Sequence, residues 1–319
     1  MKNEIVDILQ SEYDVITDKI TPTTGGWSAL AYKVDSIQGQ YFLKVYDKKR
    51  VIIKKLLENL DFSMSVSSWL EKNTSLQGRI NAPILTKSDS IKSETQDYTY
   101  LLFQYIDGEN VCTTPLTERQ QKEIAEIVGT LHNCVEDMPF DFTNITEDFT
   151  IPCKELMKVP GVSSGDFCVY NERDMIMRAI EKAHTLADKV KSNDPYFALC
   201  HTDIHGWNLM QSDQLILIDW ESIKFAPVEA DLYTFWNDWY WGDSNWGSYW
   251  NTFLPIYSNI CTDYVVNKEN LLFYQMRRHI EDIEEFYKQY LYEEMTNETR
   301  REVISCLERE CRFLSTLIH

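Results

Sequence analysis

Two short stretches set imidazole, carboxylate and amide side chains at close intervals: CHTDIHGWNLM, Cys200 to Met210, and LILIDWE, Leu215 to Glu221. His201, Asp203 and His205 alternate along the first, so on a strand they would share a face, as metal ligands can. A zinc site needs three or four ligands at workable spacing. The other histidines, His132, His184, His279 and His319, stand far apart in helical or terminal settings, and no second cluster answers the first. Phosphoryl transfer asks for more parts, and more are present. It needs a carboxylate to take the proton of the attacking hydroxyl, oxygen ligands for magnesium, a cation on the phosphates and backbone amides above them. Asp203 followed by Asn208 has the kinase catalytic-loop spacing D-x-x-x-x-N. Asp219 ends the apolar run Leu215 to Ile218, where it can share magnesium with Asn208.

Something must bring a cation and backbone amides to that loop. Lys44 lies in YFLKVY, within a strand, where a phosphate-binding lysine belongs. Gly25 and Gly26, with Ser28 after them, precede the strand ALAYKVD, which reaches GQYFLKVYD through a hairpin at Gln38 and Gly39. The opening residues read as a helix with Ile5, Ile8 and Leu9 on one face, and residues 48–72 as a second helix. INAPILT and YTYLLFQYIDG supply further strands, the last ending at Asp107 and Gly108. Beyond that point strands nearly vanish. TPLTERQQKEIAEIVGTLHN opens with a helix-start signal, residues 138–168 read as loop, about 170–192 as helix, and everything from Val228 onward as helix. The expected organisation is a strand-rich segment, 1–107, and a helical remainder, 108–319.

The composition narrows the partners. A formal charge of −19 and a pI near 4.7 repel nucleic acid and anionic membrane, and suit a cationic small molecule. The N-terminus lacks the apolar core of a secretory signal. No run approaches the roughly 18 apolar residues of a membrane span. Eight scattered cysteines without a C-x-x-C pair read as reduced thiols of a cytoplasmic protein.

With these residues in this order, the chain resembles the aminoglycoside phosphotransferases, within the wider group that includes choline kinases. HTDIHGWN is similar to their H-x-D-x-x-x-x-N loop and LIDW to their magnesium-binding I-D-[WF]. GTLH, Gly129 to His132, and APVEADL match two further motifs. The likeness is nearest to the spectinomycin phosphotransferases and extends into RRHIEDIEEFY, so it spans essentially the whole chain. It implies a protein-kinase-like α+β fold, with a small antiparallel-sheet lobe and a large helical lobe. By the same resemblance Asp203 is the catalytic base, and Asn208 and Asp219 are the magnesium ligands. Lys44 holds the α and β phosphates of ATP, the backbones of Gln104 and Ile106 bind adenine, and Phe103 backs the pocket. A hinge read through its backbone also satisfies GTP. Asp231 is expected to brace the catalytic loop. Relatives pair the lysine with a Glu on the following helix; here Asp61 is best placed, with Glu58 one turn earlier as the alternative.

The acceptor is the least defined part. Glu221 stands where many relatives carry Asp and choline kinases often carry Glu, which puts it among candidate acceptor contacts with His205. The run Asp231 to Phe253 holds five of the nine tryptophans together with Asp238 and Asp243. Aromatic faces attract ammonium groups, although most of these rings are expected in the core. Glu281, Asp282 and Glu285 lie on a helix that borders the aminocyclitol in the resembling enzymes. The expected acceptor is a cationic hydroxylated small molecule, an aminoglycoside or aminocyclitol first. A kinase for choline or another amino alcohol, and a kinase-like protein without catalysis, are the alternatives.

Overall fold

Ile5 and Leu9 lie one helical turn apart, and the helix they predict forms: α1 (Lys2–Tyr13) buries Ile5, Leu9 and Tyr13. These residues share a core with Ile20, Val34, Leu43, Val45, Tyr100 and Leu102. The structure, a computed structural model, describes residues 2–23, 28–50, 53–112, 115–160, 168–236, 240–241, 244–245 and 250–318. Two compact units divide it. The first comprises Met1–Ile145, His201–Ile223 and Asp238–Thr262; the second comprises Thr146–Cys200, Lys224–Asn237 and Asp263–His319.

In the first unit, β1 (Thr17–Thr23), β2 (Leu30–Ser36), β3 (Gly39–Asp47), β4 (Pro83–Ile84), β5 (Ser93–Glu94) and β6 (Tyr98–Gln104) form an antiparallel sheet. Its order is β1-β2-β3-β6-β4, with β5 also on β6. The β2–β3 hairpin turns at the expected place, Gly39 taking a φ of 139° that other residues rarely adopt. β1 was not legible as a strand. Only Ile20 of its residues is buried, and it contains Pro22, which an edge strand tolerates. After β3, α2 (Lys54–Asn73) turns Leu60, Ser63, Met64, Ser67 and Leu70 inward at helical spacing. β7 (Glu109–Asn110) then precedes α3 (Glu118–Asn133), whose expected start is a capping box between Thr117 and Gln120. α3 packs on the unit's last helix, Trp250–Ile260, where the Cys261 thiol donates to the Gly129 carbonyl.

The second unit is mainly helical: α4 (Cys168–Asn171), α5 (Arg173–Ser192), α6 (Glu229–Trp236), α8 (Lys268–Tyr292) and α9 (Asn297–Thr316), with Trp250–Ile260 counted as α7. α8 is its axis and packs on α5, α6 and α9. Its buried charges are paired: Arg277 Nη1 lies 2.5 Å from Glu147, and Glu284 accepts from the backbone amides of Glu155 and Leu156. β8 (Phe197–Cys200) pairs with β11 (Lys224–Pro227), so the residues between them leave and re-enter this unit at neighbouring points. Those residues, 201–223, carry β9 (Leu209–Gln211) and β10 (Leu215–Leu217), which join β7 in a three-stranded sheet. A short ribbon, β12 (Tyr240–Trp241) with β13 (Ser244–Asn245), completes the strands. All eight cysteines are free of disulfides. Among the described residues no helix is long and apolar enough to cross a membrane.

Candidate active site

Residues 201–208 are held by their own side chains. The buried His201 donates from Nε2 to the Ile218 carbonyl (3.0 Å), and its Nδ1 accepts the Asp203 amide (3.3 Å). A carbonyl can only accept and an amide N–H only donates, so the ring is the neutral Nε2–H tautomer. With both nitrogens on backbone, it anchors the loop and cannot also bind metal, which removes the zinc reading. Thr202, β-branched yet at a φ of 65°, donates to the Ser222 carbonyl (2.7 Å), and the Ile218 amide donates to the Asn208 carbonyl (3.0 Å). These bonds lash the loop to the segment containing Asp219, which is itself left-handed at φ 68°. Two non-glycine residues in that region beside the candidate chemistry mark backbone strain of the kind found at functional sites.

Asp203 is oriented from both sides. Asn208 Nδ2 donates to its backbone carbonyl and to its Oδ2, both at 2.9 Å. His205 accepts the Trp207 amide on Nδ1, which leaves Nε2–H directed at Asp203 Oδ1, 3.3 Å away. The expectation that His205 faces an acceptor is therefore corrected. It is 9% exposed, and its ring closes the short turn Gly206–Asn208 and braces Asp203.

Opposite the loop in function, and within the same unit, stands Lys44. Alternate side chains of a strand share a face, so Leu43 and Val45 enter the core shared with α1 while Lys44 and Tyr46 lie on the other face of β3. Lys44 Nζ reaches Asp219 Oδ1 at 2.6 Å and Glu221 Oε1 at 2.5 Å, and Tyr46 Oη donates to the same Glu221 oxygen at 2.5 Å. Burial disfavours the lysine charge, but the Asp219 and Glu221 carboxylates outweigh it and hold Lys44 above the ordinary lysine range. Burial likewise opposes charge on Glu221, and Lys44 and Tyr46 overcome it, so Glu221 stays below the usual carboxylate range. Asp219 moves the other way. Burial raises it, and the charges of Glu221 and Asp203 add to that against the pull of Lys44.

Two further expectations are corrected by this network. Asp61 does not pair with Lys44: its side chain is 64% exposed and bonded to Lys92, and Glu58 is exposed as well. The reason is helix phase, since packing Leu60, Ser63 and Met64 inward turns positions 58 and 61 toward solvent. Glu221, expected at the acceptor, is 8% exposed and is the carboxylate that Lys44 uses instead. Tyr46 is a further residue of this network, and its place two residues after Lys44, on the same strand face, is the signal the sequence offers for it.

The remaining candidates are distributed as follows. Phe103 is buried on β6 with Lys44 Nζ 5.9 Å from its ring centroid. Gln104 ends that strand, exposed, and Ile106 follows half-buried. Ser28 is half-buried just before β2, while Gly25, Gly26 and Asp238 lie outside the described residues. Glu281, Asp282 and Glu285 belong to α8 in the second unit. Asp282 accepts from Arg278 Nε (2.9 Å) and Glu285 from Lys288 (2.9 Å).

The donor chemistry fits a magnesium ion. Asn208 commits its amide hydrogens to Asp203, which leaves the amide oxygen as its ligand atom, and Asp219 adds a carboxylate. Hard oxygen donors are what Mg²⁺ prefers. The mutual repulsion of Asp203, Asp219 and Glu221, which adds to burial in raising Asp219, is what a divalent cation relieves.

The chain matches the phosphotransferase enzyme family over residues 19–257 and belongs to it. No curated protein matches it by sequence. Among solved structures it is similar to spectinomycin phosphotransferase in complex with ADP and spectinomycin, with a TM-score of 0.73 at 19% identity over 99% of this chain and 98% of that one. It is also similar to a microcompartment-associated aminopropanol kinase (TM-score 0.66, 14% identity, 99% and 98% covered). A third is the choline kinase LicA from Streptococcus pneumoniae (TM-score 0.62, 14%, 98% of each). At these identities the likeness is one of fold. It bears out the kinase-like α+β architecture, and the family match bears out the resemblance.

Proposed function

We propose that the chain transfers the γ-phosphate of ATP to a hydroxyl of a cationic small molecule, with an aminocyclitol or aminoglycoside as the first acceptor class. The observation that carries this reading is the joining of two half-sites in one unit: Asp203 with Asn208 on the loop, and Asp219 with Lys44 from the sheet. Asp203, fixed by Asn208 and His205, takes the proton of the attacking hydroxyl at its carboxylate. Lys44 holds the α and β phosphates, with Ser28, Gly25 and Gly26 as further phosphate contacts. Phe103 and the backbones of Gln104 and Ile106 take the purine, ATP or GTP. Asn208 and Asp219 would hold magnesium, which would supply charge neutralisation on the phosphates. The lobe boundary at residue 107 belongs to the same proposal.

For the acceptor, Asp238, Glu281, Asp282 and Glu285 are the proposed ammonium contacts, supported by the strongly acidic composition. The likeness to the aminopropanol and choline kinases supports an amino alcohol as the second class. Glu221 no longer bears on that choice, because Lys44 and Tyr46 occupy it.

The test is ADP release by purified protein with Mg-ATP across spectinomycin, kanamycin-type aminoglycosides, choline, ethanolamine and aminopropanol, with Asp203→Ala as control. The expected outcome is turnover with one acceptor class, lowered roughly 10²–10⁴-fold in the variant while ADP still binds. Turnover that survives Asp203→Ala would sink the assignment of the base.

A further inference from the structure

Lys44 has two carboxylates at hydrogen-bond distance, and the proposed function gives them different tasks. Asp219 is assigned to the metal, so Glu221 is the one left to hold the lysine. α2 cannot supply that carboxylate, because its inward position beside the segment is Ser63, whose Oγ donates to the Glu221 carbonyl at 3.3 Å. Glu221 in turn depends on Tyr46, fully buried and bonded to the same Oε1 that receives Lys44. A buried carboxylate with one donor removed either draws its remaining cation closer or shifts to find another partner.

We propose that Glu221 and Tyr46 are the positioning residues of Lys44, replacing the helix-borne carboxylate with one carried two residues beyond the metal aspartate and braced from β3. This rests on the reading that Lys44 grips nucleotide phosphates. It adds that the grip is set by the sheet and the 219–221 segment, to which α2 contributes the Ser63 hydroxyl and no carboxylate. Because Lys44 and Tyr46 share one strand face, the brace and the lysine move together.

The experiment is calorimetric titration of ADP with Mg²⁺ into wild type, Tyr46→Phe, Glu221→Gln, Lys44→Met and the double variant Lys44→Met/Tyr46→Phe, each checked for a cooperative melt. Loss of one bond to a charged buried group is expected to weaken ADP binding roughly 5- to 20-fold in Tyr46→Phe, and Glu221→Gln should do the same. In the Lys44→Met background the Tyr46 substitution should change affinity less than about twofold, because its effect runs through the lysine. An equal penalty in both backgrounds would make Tyr46 a purely structural residue and overturn the inference, as would ADP affinity unchanged in Tyr46→Phe. Absence of ADP binding by wild type would instead bring down the nucleotide site and the inference together. Tyr46→Phe keeps the ring that fills the core, so its series decides the matter even where Glu221→Gln fails to melt cooperatively.

Discussion

Glu229 opens α6 and is 2% exposed, and its Oε2 has no hydrogen-bond partner among the described residues. Burial pushes its carboxyl up to about 7, against the opposing help of its own backbone amide, Asn270 and Tyr264. Unfolded, the group titrates near 4.5. Between those values the folded chain binds more protons than the unfolded one, so this residue's contribution is complete below pH 4.5 and is lost as pH rises through 7. At about 1.4 kcal/mol per pH unit, the full loss approaches about 3 kcal/mol. Glu229→Gln keeps the shape and removes the charge. It is expected to match wild type at pH 4.5 and to exceed it at pH 8 by up to that amount. With unfolding entropy of about 2 cal/mol/K per residue, the gain in Tm is roughly 5 °C if both units melt together. The assay is differential scanning calorimetry of both proteins at half-unit pH steps from 4.5 to 8. A Tm difference that stays flat with pH, or a variant less stable at pH 8, would refute the reasoning.

Three further outcomes are expected. Asp61→Ala removes only an exposed pair with Lys92, so kcat/KM for ATP should stay within about twofold of wild type, whereas a lysine anchored from α2 would cost tenfold or more. Gly108→Ala would set a Cβ into the Gln211 carbonyl oxygen, a backbone atom that cannot yield. Urea titration should show a loss of roughly 1–3 kcal/mol, and a smaller one for Gly129→Ala, where the neighbour is the flexible Ile260 Cδ1 at 3.0 Å. Iodoacetamide mapping of the folded protein should label Cys168 before Cys200. A bond from the Cys311 thiol lowers the half-buried Cys168, and burial holds the enclosed Cys200 thiol well up.

The grouping of Asp203, Asn208 and Asp219 is legible because it is local: they sit at spacings set by one turn and one short hairpin. The strand carrying Lys44 was legible from its alternation. What the chain does not print is helix phase across 20 residues of α2, where a one-position difference sends Asp61 to solvent and leaves Ser63 inside. Nor does it print which of several carboxylates a buried lysine will meet, since Glu221 arrives from far along the sequence. Nothing in the sequence says that the two nitrogens of His205 close a turn on their own neighbours. β1 escaped because an edge strand with a single buried side chain and a proline carries almost no period.

The Lys44–Asp219 pair joins positions 175 apart in the chain, and the unit that contains it is assembled from three separate segments. Closing so long a loop costs little more at equilibrium than closing a short one, because the entropy grows only logarithmically. It weighs on the folding route instead, since pairings of high sequence separation form late. During synthesis the sheet emerges well before its acidic counterpart, and until residue 221 arrives Lys44 and Tyr46 have neither of the carboxylates that hold them. In refolding experiments the capacity to bind a nucleotide should therefore return after the sheet's own spectroscopic signal, as a distinct and slower phase.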